Sequence, residues 1–283
     1  MSKAKEEWDT VILPERGLLD VHLGEIWKYR DLLRMFVKRD FVTYYKQTIL
    51  GPLWFFIQPI FTTLTYMLIF GNVAKISTDG MPQLLFYMSG VTAWNYFSEC
   101  FNKTSTVFKD NQAIFGKVHF PRLITPLSIV ISNLVKFGIQ LLLFVLILLY
   151  YLWSGTSAAP NMALLLLPFL ILLMAALGLG AGMLITSLTT KYRDLVFLLQ
   201  FGIQLLMYAT PVIYPLSTIP EKYQWIIMAN PMSGIVETFR YAFLGSGQLN
   251  WQLLGYDALV TFFILIIGIL VFNKTERSFM DTV

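Results

Sequence analysis

The chain has 283 residues, 56% of them hydrophobic and 13% charged, with a net charge of +4. A soluble domain carries about 25% charged residues, so an ordinary soluble protein is excluded, and the cationic excess reads as membrane topology rather than as a nucleic-acid footprint. The single cysteine, Cys100, leaves no intramolecular disulfide and no multi-cysteine metal site, and His22 and His119 lie far apart with no ligand partner at metal spacing.

Residues 1–24 are polar and mixed in charge, with Pro14 and Gly17 as breakers. They contain no short apolar core followed by a small-residue cleavage site, so no cleaved signal peptide is expected and the N-terminus is expected to stay in the cytoplasm. The next stretch turns basic and aromatic. Ile26, Tyr29, Leu33, Phe36, Val37, Phe41 and Tyr44 recur at helical spacing, with Lys28, Asp31, Arg34, Lys38, Arg39 and Lys46 mostly on the other face and Arg30 and Asp40 interrupting the apolar one. This pattern predicts an amphipathic helix near Glu25–Gln47 lying in a membrane surface. After Gly51-Pro52, residues Leu53 to Phe70 carry no charge. Such a run spans ~27 Å as a helix, about the hydrocarbon thickness of a bilayer.

Six apolar spans are expected, at about 53–70, 84–101, 124–152, 162–188, 195–213 and 253–272. The predicted fold is therefore an all-α integral membrane protein, with a cytoplasmic N-terminal segment (1–50) and a six-span transmembrane domain (51–283). The connections alternate in charge. Those on the side of the N-terminus hold 17 Lys/Arg; those on the other hold Lys75, Lys222 and Arg240, and Lys136 lies inside a span. Cations stay on the cytoplasmic side, so both termini are expected there. Tyr150, Tyr151, Trp153, Trp225, Trp251 and Tyr256 cluster near the opposite boundary as an interfacial belt.

Between the second and third spans, Asn102–Pro126 offers a short helix an apolar edge (Val107, Phe108, Ile114, Phe115) among Lys103, Lys109, Asp110 and Lys117. Such a helix can dock into a partner's groove or lie on the membrane. Lys136 falls about ten residues after Pro126, ~15 Å along a helix and near mid-bilayer, where a charge faces protein or water or snorkels. Glu99, Asp194 and Asp257 fall near span ends, which does not resemble a proton-relaying chain of intramembrane carboxylates.

Met207–Gly255 is too apolar for a solvated loop and too interrupted for a span, because Pro211, Pro215, Pro220 and Pro231 each end or kink a helix. Two short helices fit, about Glu221–Ala229 and Met232–Leu244. Glu237 and Arg240, three apart on the second, share a face and can pair. The segment reads either as a re-entrant pair dipping into the outer leaflet or as a helical cap resting on it; periodicity does not choose between them, and two short re-entrant helices between spans five and six are the predicted arrangement. No P-loop, no H-E-x-x-H and no G-x-S-x-G occurs, so neither phosphate cradling nor these hydrolytic sites are expected. No 20–50-residue repeat is visible either, which weakens an inverted-repeat transporter.

Arg39-Asp40, Tyr45-Lys46-Gln47-Thr48 with Leu50-Gly51, Trp54, Gln58-Pro59, Asn111, Lys117, Phe120-Pro121-Arg122, Pro126, Tyr192-Arg193-Asp194, Thr210-Pro211-Val212-Ile213-Tyr214-Pro215, Asn230-Pro231, Glu237 and Arg240 occur in this order between the spans. With them the chain resembles the permease subunits of type-2 ABC exporters, in the branch that exports lipid-linked polysaccharide such as O-antigen, capsule or teichoic acid. The resemblance implies a subunit of the bacterial cytoplasmic membrane that is not itself an enzyme. Its implied partners are a second copy of itself, two cytoplasmic ATPase subunits holding ATP and Mg, membrane lipid, and a polymer on undecaprenyl pyrophosphate; nucleic acid is not among them. It implies that Phe108, Lys109, Asp110 and Asn111 belong to an ATPase-coupling loop. It implies that Pro211, Tyr214, Asn230, Pro231, Glu237 and Arg240 belong to an extracytoplasmic gate. Because sugar faces stack on aromatic rings, Tyr44, Tyr45 and Trp54 are candidates for a polysaccharide entrance, with interfacial anchoring as the alternative, and Lys136 joins them as a pathway candidate. Many members carry arginine in place of Tyr44 and an acid in place of Lys136, so the resemblance assigns neither a role. A type-2 permease for a drug or lipid is the second reading. A membrane enzyme acting on the lipid carrier is the third, and it lacks an acid/base or metal constellation.

Overall fold

The computed structural model describes residues 23–46, 48–118, 120–156, 158–192 and 194–280, and the side chains of residues 23, 44, 45 and 277–280 fall outside that description. The expectations for residues 1–22, for His22 and for His119 also fall outside it. Every regular element among the described residues is helical. The amphipathic segment is two helices rather than one, α1 (Leu23–Lys28) and α2 (Arg30–Tyr45). A 3-10 turn (Gly51–Leu53) leads into α3 (Trp54–Tyr66), which loosens into a π-helix over Met67–Val73. Next come α4 (Gln83–Ser105), the single turns α5 (Val107–Asp110) and α6 (Gln112–Phe115), and α7 (Ile124–Trp153). A 3-10 turn (Met162–Leu166) opens α8 (Leu167–Lys191), followed by α9 (Leu195–Tyr208), α10 (Glu221–Met228), α11 (Pro231–Leu244) and α12 (Trp251–Met280).

Four helical segments are long and apolar enough to cross a bilayer: Gly51–Val73, Ile124–Trp153, Met162–Lys191 and Trp251–Glu276. The expected second span lies in α4, long enough but more polar. The expected fifth shortens to α9, whose 14 residues rise only ~21 Å. Its predicted end at residue 213 is moved back to Tyr208, because Thr210 precedes a proline and the α region is disfavoured there. The chain then folds into a tight turn, with Val212 N–H donating to the Thr210 carbonyl at 2.7 Å.

The polarity of α4 has a structural cause. It packs against α3, α7, α8, α9 and α11, and most of its residues from Leu85 to Ser105 are buried. A helix surrounded by protein can carry small and hydroxylated residues that a lipid-facing helix cannot, and in membranes such residues favour close helix approach. The Gly178-x-Gly180-x-Gly182 run of α8 serves that approach on two faces. A methyl group at Gly178 would meet Cys100 Cβ at 2.8 Å and one at Gly182 would meet Thr104 Cβ at 2.6 Å, both on α4. One at Gly180 would meet Leu265 Cα of α12 at 2.7 Å.

Two buried clusters result. The larger gathers α4, α7, α8 and α11. The smaller gathers α2, the α5–α6 loop, the start of α7 and Phe272 of α12 at the end of the bundle rich in Lys/Arg, hereafter the basic end. The opposite end, where α10 and α11 lie, is hereafter the far end.

Candidate gate and coupling sites

At the far end, α11 is built from its caps inward. Asn230 Oδ1 accepts the Met232 N–H at 3.1 Å and Pro231 occupies the first turn, where a missing N–H costs nothing. The Asn230 amide also donates to Thr210 Oγ1 at 2.7 Å, tying the start of α11 to the turn after α9. Gly245 closes the helix at φ 72°, a left-handed position suited to glycine. The last carbonyls find partners in the loop before α8: Asn161 Nδ2 donates to Tyr241 O, Asn161 N to Ala242 O and Ala159 N to Leu244 O. Both ends of α11 therefore have their backbone groups satisfied within the protein, as a helix shielded from water requires.

Arg240 is 1% exposed. Its Nη1 donates to Glu237 Oε1 at 3.1 Å, and its Nη2 donates to the carbonyls of Pro211 (2.8 Å) and Val212 (3.1 Å). The guanidinium carbon sits 3.9 Å from the centroid of the Phe86 ring on α4. Glu237 Oε1 also accepts the Leu216 N–H at 3.3 Å. One ion pair thus ties α11, α4 and the 211–216 turn together. Gly90 on α4 makes room for it: a methyl there would meet Val212 O at 2.7 Å and Arg240 Nη2 at 3.2 Å. Tyr214 turns back, its hydroxyl donating to Tyr208 O at 2.9 Å. All six residues proposed for a gate therefore surround one turn. By contrast α10 buries nothing, and Tyr223, Trp225 and Ile226 stand exposed on it.

The basic end is arranged differently. Phe108, fully buried, stacks on Phe272 (centroids 4.9 Å, 26°) and meets the edge of Phe115 (5.6 Å). Arg122 lies over the Phe115 ring at 5.1 Å, and its Nε is 3.8 Å from Glu276 Oε1 of α12. Burial pushes the Arg122 guanidinium down from its ordinary pKa, and Glu276 opposes this. Asn111 is also buried; its side chain donates to Val107 O at 3.0 Å and accepts from Arg39 Nη2 at 3.4 Å. Asp40, which interrupts the apolar face of α2, is accounted for here: it pairs with Arg39 at 2.8 Å and accepts from Ser128 Oγ of α7 at 3.3 Å. That face meets protein, for Phe36 packs edge-on to Phe120, while Trp27 of α1 and Met35 on the other side of α2 stand exposed. Of the four residues expected to meet a partner, then, Lys109 and Asp110 are exposed while Phe108 and Asn111 hold the loop's interior. A cleft of about 540 Å³ opens beside them, lined by Arg39, Asp40, Lys103, Asp110, Asn111 and Ser132.

The entrance candidates are not gathered into one place. Trp54 stands half-exposed at the start of α3. Lys136 is buried in the α4–α7 seam, its Nζ 3.6 Å from Glu99 Oε2, and the neighbouring Asn133 amide lies 3.9 Å from Cys100 Sγ. Glu99 sits well inside α4 rather than at its end, because that helix runs on to Ser105. The backbones of Tyr44 and Tyr45 end α2, and their side chains lie outside the described residues. No group of three or more His, Cys, Asp or Glu able to hold a metal occurs among the described residues.

The sequence matches the ABC-2 type transporter family over residues 31–244, a stretch that runs from α2 to the end of α11. The chain belongs to the ABC-2 type transporter family. Its relatives include the O-antigen export system permease protein RfbA of Myxococcus xanthus, 28% identical over 262 residues (92% of this chain, 98% of the relative). The protein of the same name from Klebsiella pneumoniae is 27% identical over 252 residues (89% and 94%). The polysialic acid transport protein KpsM of Escherichia coli is 22% identical over 246 residues (86% and 93%). As a transporter permease, the ABC-2 chain has no need of a catalytic constellation.

Sequence reasoning did not single out two features of this ABC-2 permease. The glycines of α8 carried a signal in their alternate spacing, which puts small residues on opposite helix faces. Asp257, read only as one of the acids near span ends, is fully buried near the start of α12 with neither carboxylate oxygen bonded among the described residues.

Proposed function

We propose that this permease exports a lipid-linked polysaccharide, working as two copies with two cytoplasmic ATPase subunits that hold the ATP and Mg. The observation that carries the reading is a pair of outward-facing stripes on α3 and α9. Trp54, Gln58, Phe61 and Thr65 recur every third or fourth residue on α3, and all are exposed. On α9, Phe197, Gln200, Gln204 and Tyr208 do the same. The two helices meet at their C-terminal ends: Phe70, just beyond α3, and Tyr208 have ring centroids 6.4 Å apart, and the Tyr66 hydroxyl lies 3.3 Å from Met207 Sδ. Glutamine side chains are not left facing lipid, because their amides find no partner there. Alternating amide and aromatic groups suit a sugar chain, offering hydrogen bonds to hydroxyls and flat faces for rings. A second copy facing these stripes would enclose a polar, aromatic path, with Trp54 at its mouth.

In this reading the spans are α3, α4, α7, α8, α9 and α12, with both termini cytoplasmic by the distribution of Lys and Arg. The basic end is the cytoplasmic end, α2 lies along the membrane surface, and Lys109 and Asp110 meet the ATPase. The α10–α11 pair re-enters from the outer side as the gate. The relatives' names, O-antigen export permease and polysialic acid transport protein, support a polymer substrate, here one carried on undecaprenyl pyrophosphate. The test is reconstitution of the permease with its ATPase in vesicles loaded with undecaprenyl-pyrophosphate-linked glycan. ATP-dependent movement of glycan is expected, and Gln58→Leu with Gln204→Leu should reduce it while assembly is kept. Transport of a free lipid or drug with no movement of glycan would overturn the reading in favour of the second class.

A further inference from the structure

We infer that α12 is a lever that carries movement of the coupling loop to the gate helix α11, pivoting where it crosses α8. The inference rests on the functional reading above. It starts from three contacts spaced along one uninterrupted helix of 30 residues, a rod of ~45 Å.

The first contact is at the basic end. Phe272 stacks on Phe108 of the coupling loop, and Glu276 pairs with Arg122 of the same loop. Any displacement of the loop therefore acts on the end of α12 through a fully buried ring and an ion pair. The second contact is the crossing with α8. A side chain at Gly268 would overlap the Gly180 carbonyl, and one at Gly180 would overlap Leu265 Cα. The two backbones touch there with nothing interposed. Among the described elements α8 and α12 share the most extensive packing, and this backbone-to-backbone contact, where no side chain holds the two helices apart, is the fulcrum of the lever. The third contact is at the far end. Asp257 and Leu253 of α12 fill the space that a side chain at Gly234 of α11 would need.

The spacings suit a lever. Asp257 lies eleven residues from Gly268 and Glu276 eight, giving arms of ~16 Å and ~12 Å. A movement at the inner end thus appears at the outer end reversed and of similar size. The outer joint is also disposed to change. Asp257 is fully buried and neither of its carboxylate oxygens has a hydrogen-bond partner among the described residues. A buried carboxyl without partners is destabilising, so regained hydration of Asp257 lowers the cost of a displacement that opens the α11–α12 joint to water. A two-position element biased from one end is what coupling between distant sites requires.

The experiment uses the complete permease–ATPase complex in vesicles, with spin labels in two pairs of exposed positions. Leu172→Cys with Leu259→Cys reports the outer ends of α8 and α12, and Leu188→Cys with Lys274→Cys the inner ends. Labelled copies are diluted into unlabelled ones. Trapping the ATPase with ATP and vanadate should shift the two separations in opposite senses. Gly268→Ala should suppress the outer shift and lower glycan export at least tenfold while ATP hydrolysis stays within twofold. Shifts in the same sense, no shift in actively exporting complex, or a Gly268→Ala variant that exports normally would overturn the lever. If Gly268→Ala does not assemble, the separations in the otherwise unaltered complex decide alone. A complex that hydrolyses ATP but moves no glycan would instead sink the substrate reading, with the label distances still deciding the lever.

Discussion

The two ends of this permease use the same parts, short helices and an Arg–Glu pair, to opposite effect. At the far end Glu237 and Arg240 lie one turn apart on a single helix that is buried nearly all round, and the guanidinium is held by Glu237, two backbone carbonyls and a phenylalanine face, its Nε alone finding no partner among the described residues. At the basic end Arg122 reaches across to Glu276 at 3.8 Å, and the neighbouring α5 turn presents Lys109 and Asp110 outward. The difference lies in who must supply the missing contacts. The far end closes on itself, so its charges serve the fold. The basic end has its apolar side within and turns Lys109 and Asp110 outward, the side on which the proposed ATPase contact lies.

The largest effect is expected where the enclosure is most complete. Arg240→Ala leaves the Glu237 carboxylate buried and frees the Pro211 and Val212 carbonyls, a loss of ~3–5 kcal/mol for one partner of a buried pair. Glu237→Ala should also destabilise, and the double variant should recover part of the loss. Thermal unfolding in detergent, with export measured alongside, reads this out; strictly additive losses would mean that the two side chains do not act as a pair.

Phe108→Ala tests whether the basic end has a real interior. Removing a fully buried ring should lower stability by ~3–5 kcal/mol, so the loss of export in this variant will come with loss of folded protein. A stable, fully folded Phe108→Ala that merely fails to bind the ATPase would place this ring at the interface instead.

Lys136→Leu probes the seam between the two ends. It removes a buried ammonium, while Glu99 is 44% exposed at its side chain rather than enclosed with it. Membrane insertion should be equal or better and the melting temperature little changed, with transport reduced. Unchanged transport would confine Lys136 to a packing role.

Lys109→Glu with Asp110→Lys should have the smallest effect on stability, within ~0.5 kcal/mol, as for exposed positions generally. ATP-driven export and copurification of the ATPase should nonetheless fall. If both persist, the exposed side of the loop is a linker and the contrast between the ends disappears. Finally, Asp31→Cys and Lys38→Cys on the exposed side of α2 should leave folding untouched and resist labelling by impermeant maleimide from outside intact cells. Efficient labelling would reverse the assignment of the ends.

Much of the far end was legible beforehand because its signals are local. Prolines and an Asn-Pro cap set helix boundaries within three or four residues, so the helices expected near Glu221–Ala229 and Met232–Leu244 appear as Glu221–Met228 and Pro231–Leu244. Spacing three apart put Glu237 and Arg240 on one face. What surrounds that face was not legible: the Pro211 and Val212 carbonyls, Phe86 and Gly90 come from distant parts of the chain. The same holds at the basic end, where nothing in Asn102–Pro126 announces that Phe108 meets Phe272 and Arg122 meets Glu276.

By itself the sequence determined that the chain lives in a bilayer, roughly where most of its helices lie, and which loops carry the cations, though the fifth span ends five residues early at Tyr208 and the last runs on to Met280. These follow from properties of contiguous residues: apolar length, proline geometry and local charge. Only the tertiary structure decided which helix is central. By composition α4 is less apolar than its neighbours, yet it is enclosed by five of them. Hydropathy measures how well a residue tolerates lipid, and a helix that never meets lipid is freed from that demand. Likewise Gly180 and Gly268, Asp257 and Gly234, and Lys136 and Glu99 gained their meaning only when folding brought them together, because contact between residues far apart in sequence is a property of the packed bundle and of no single segment.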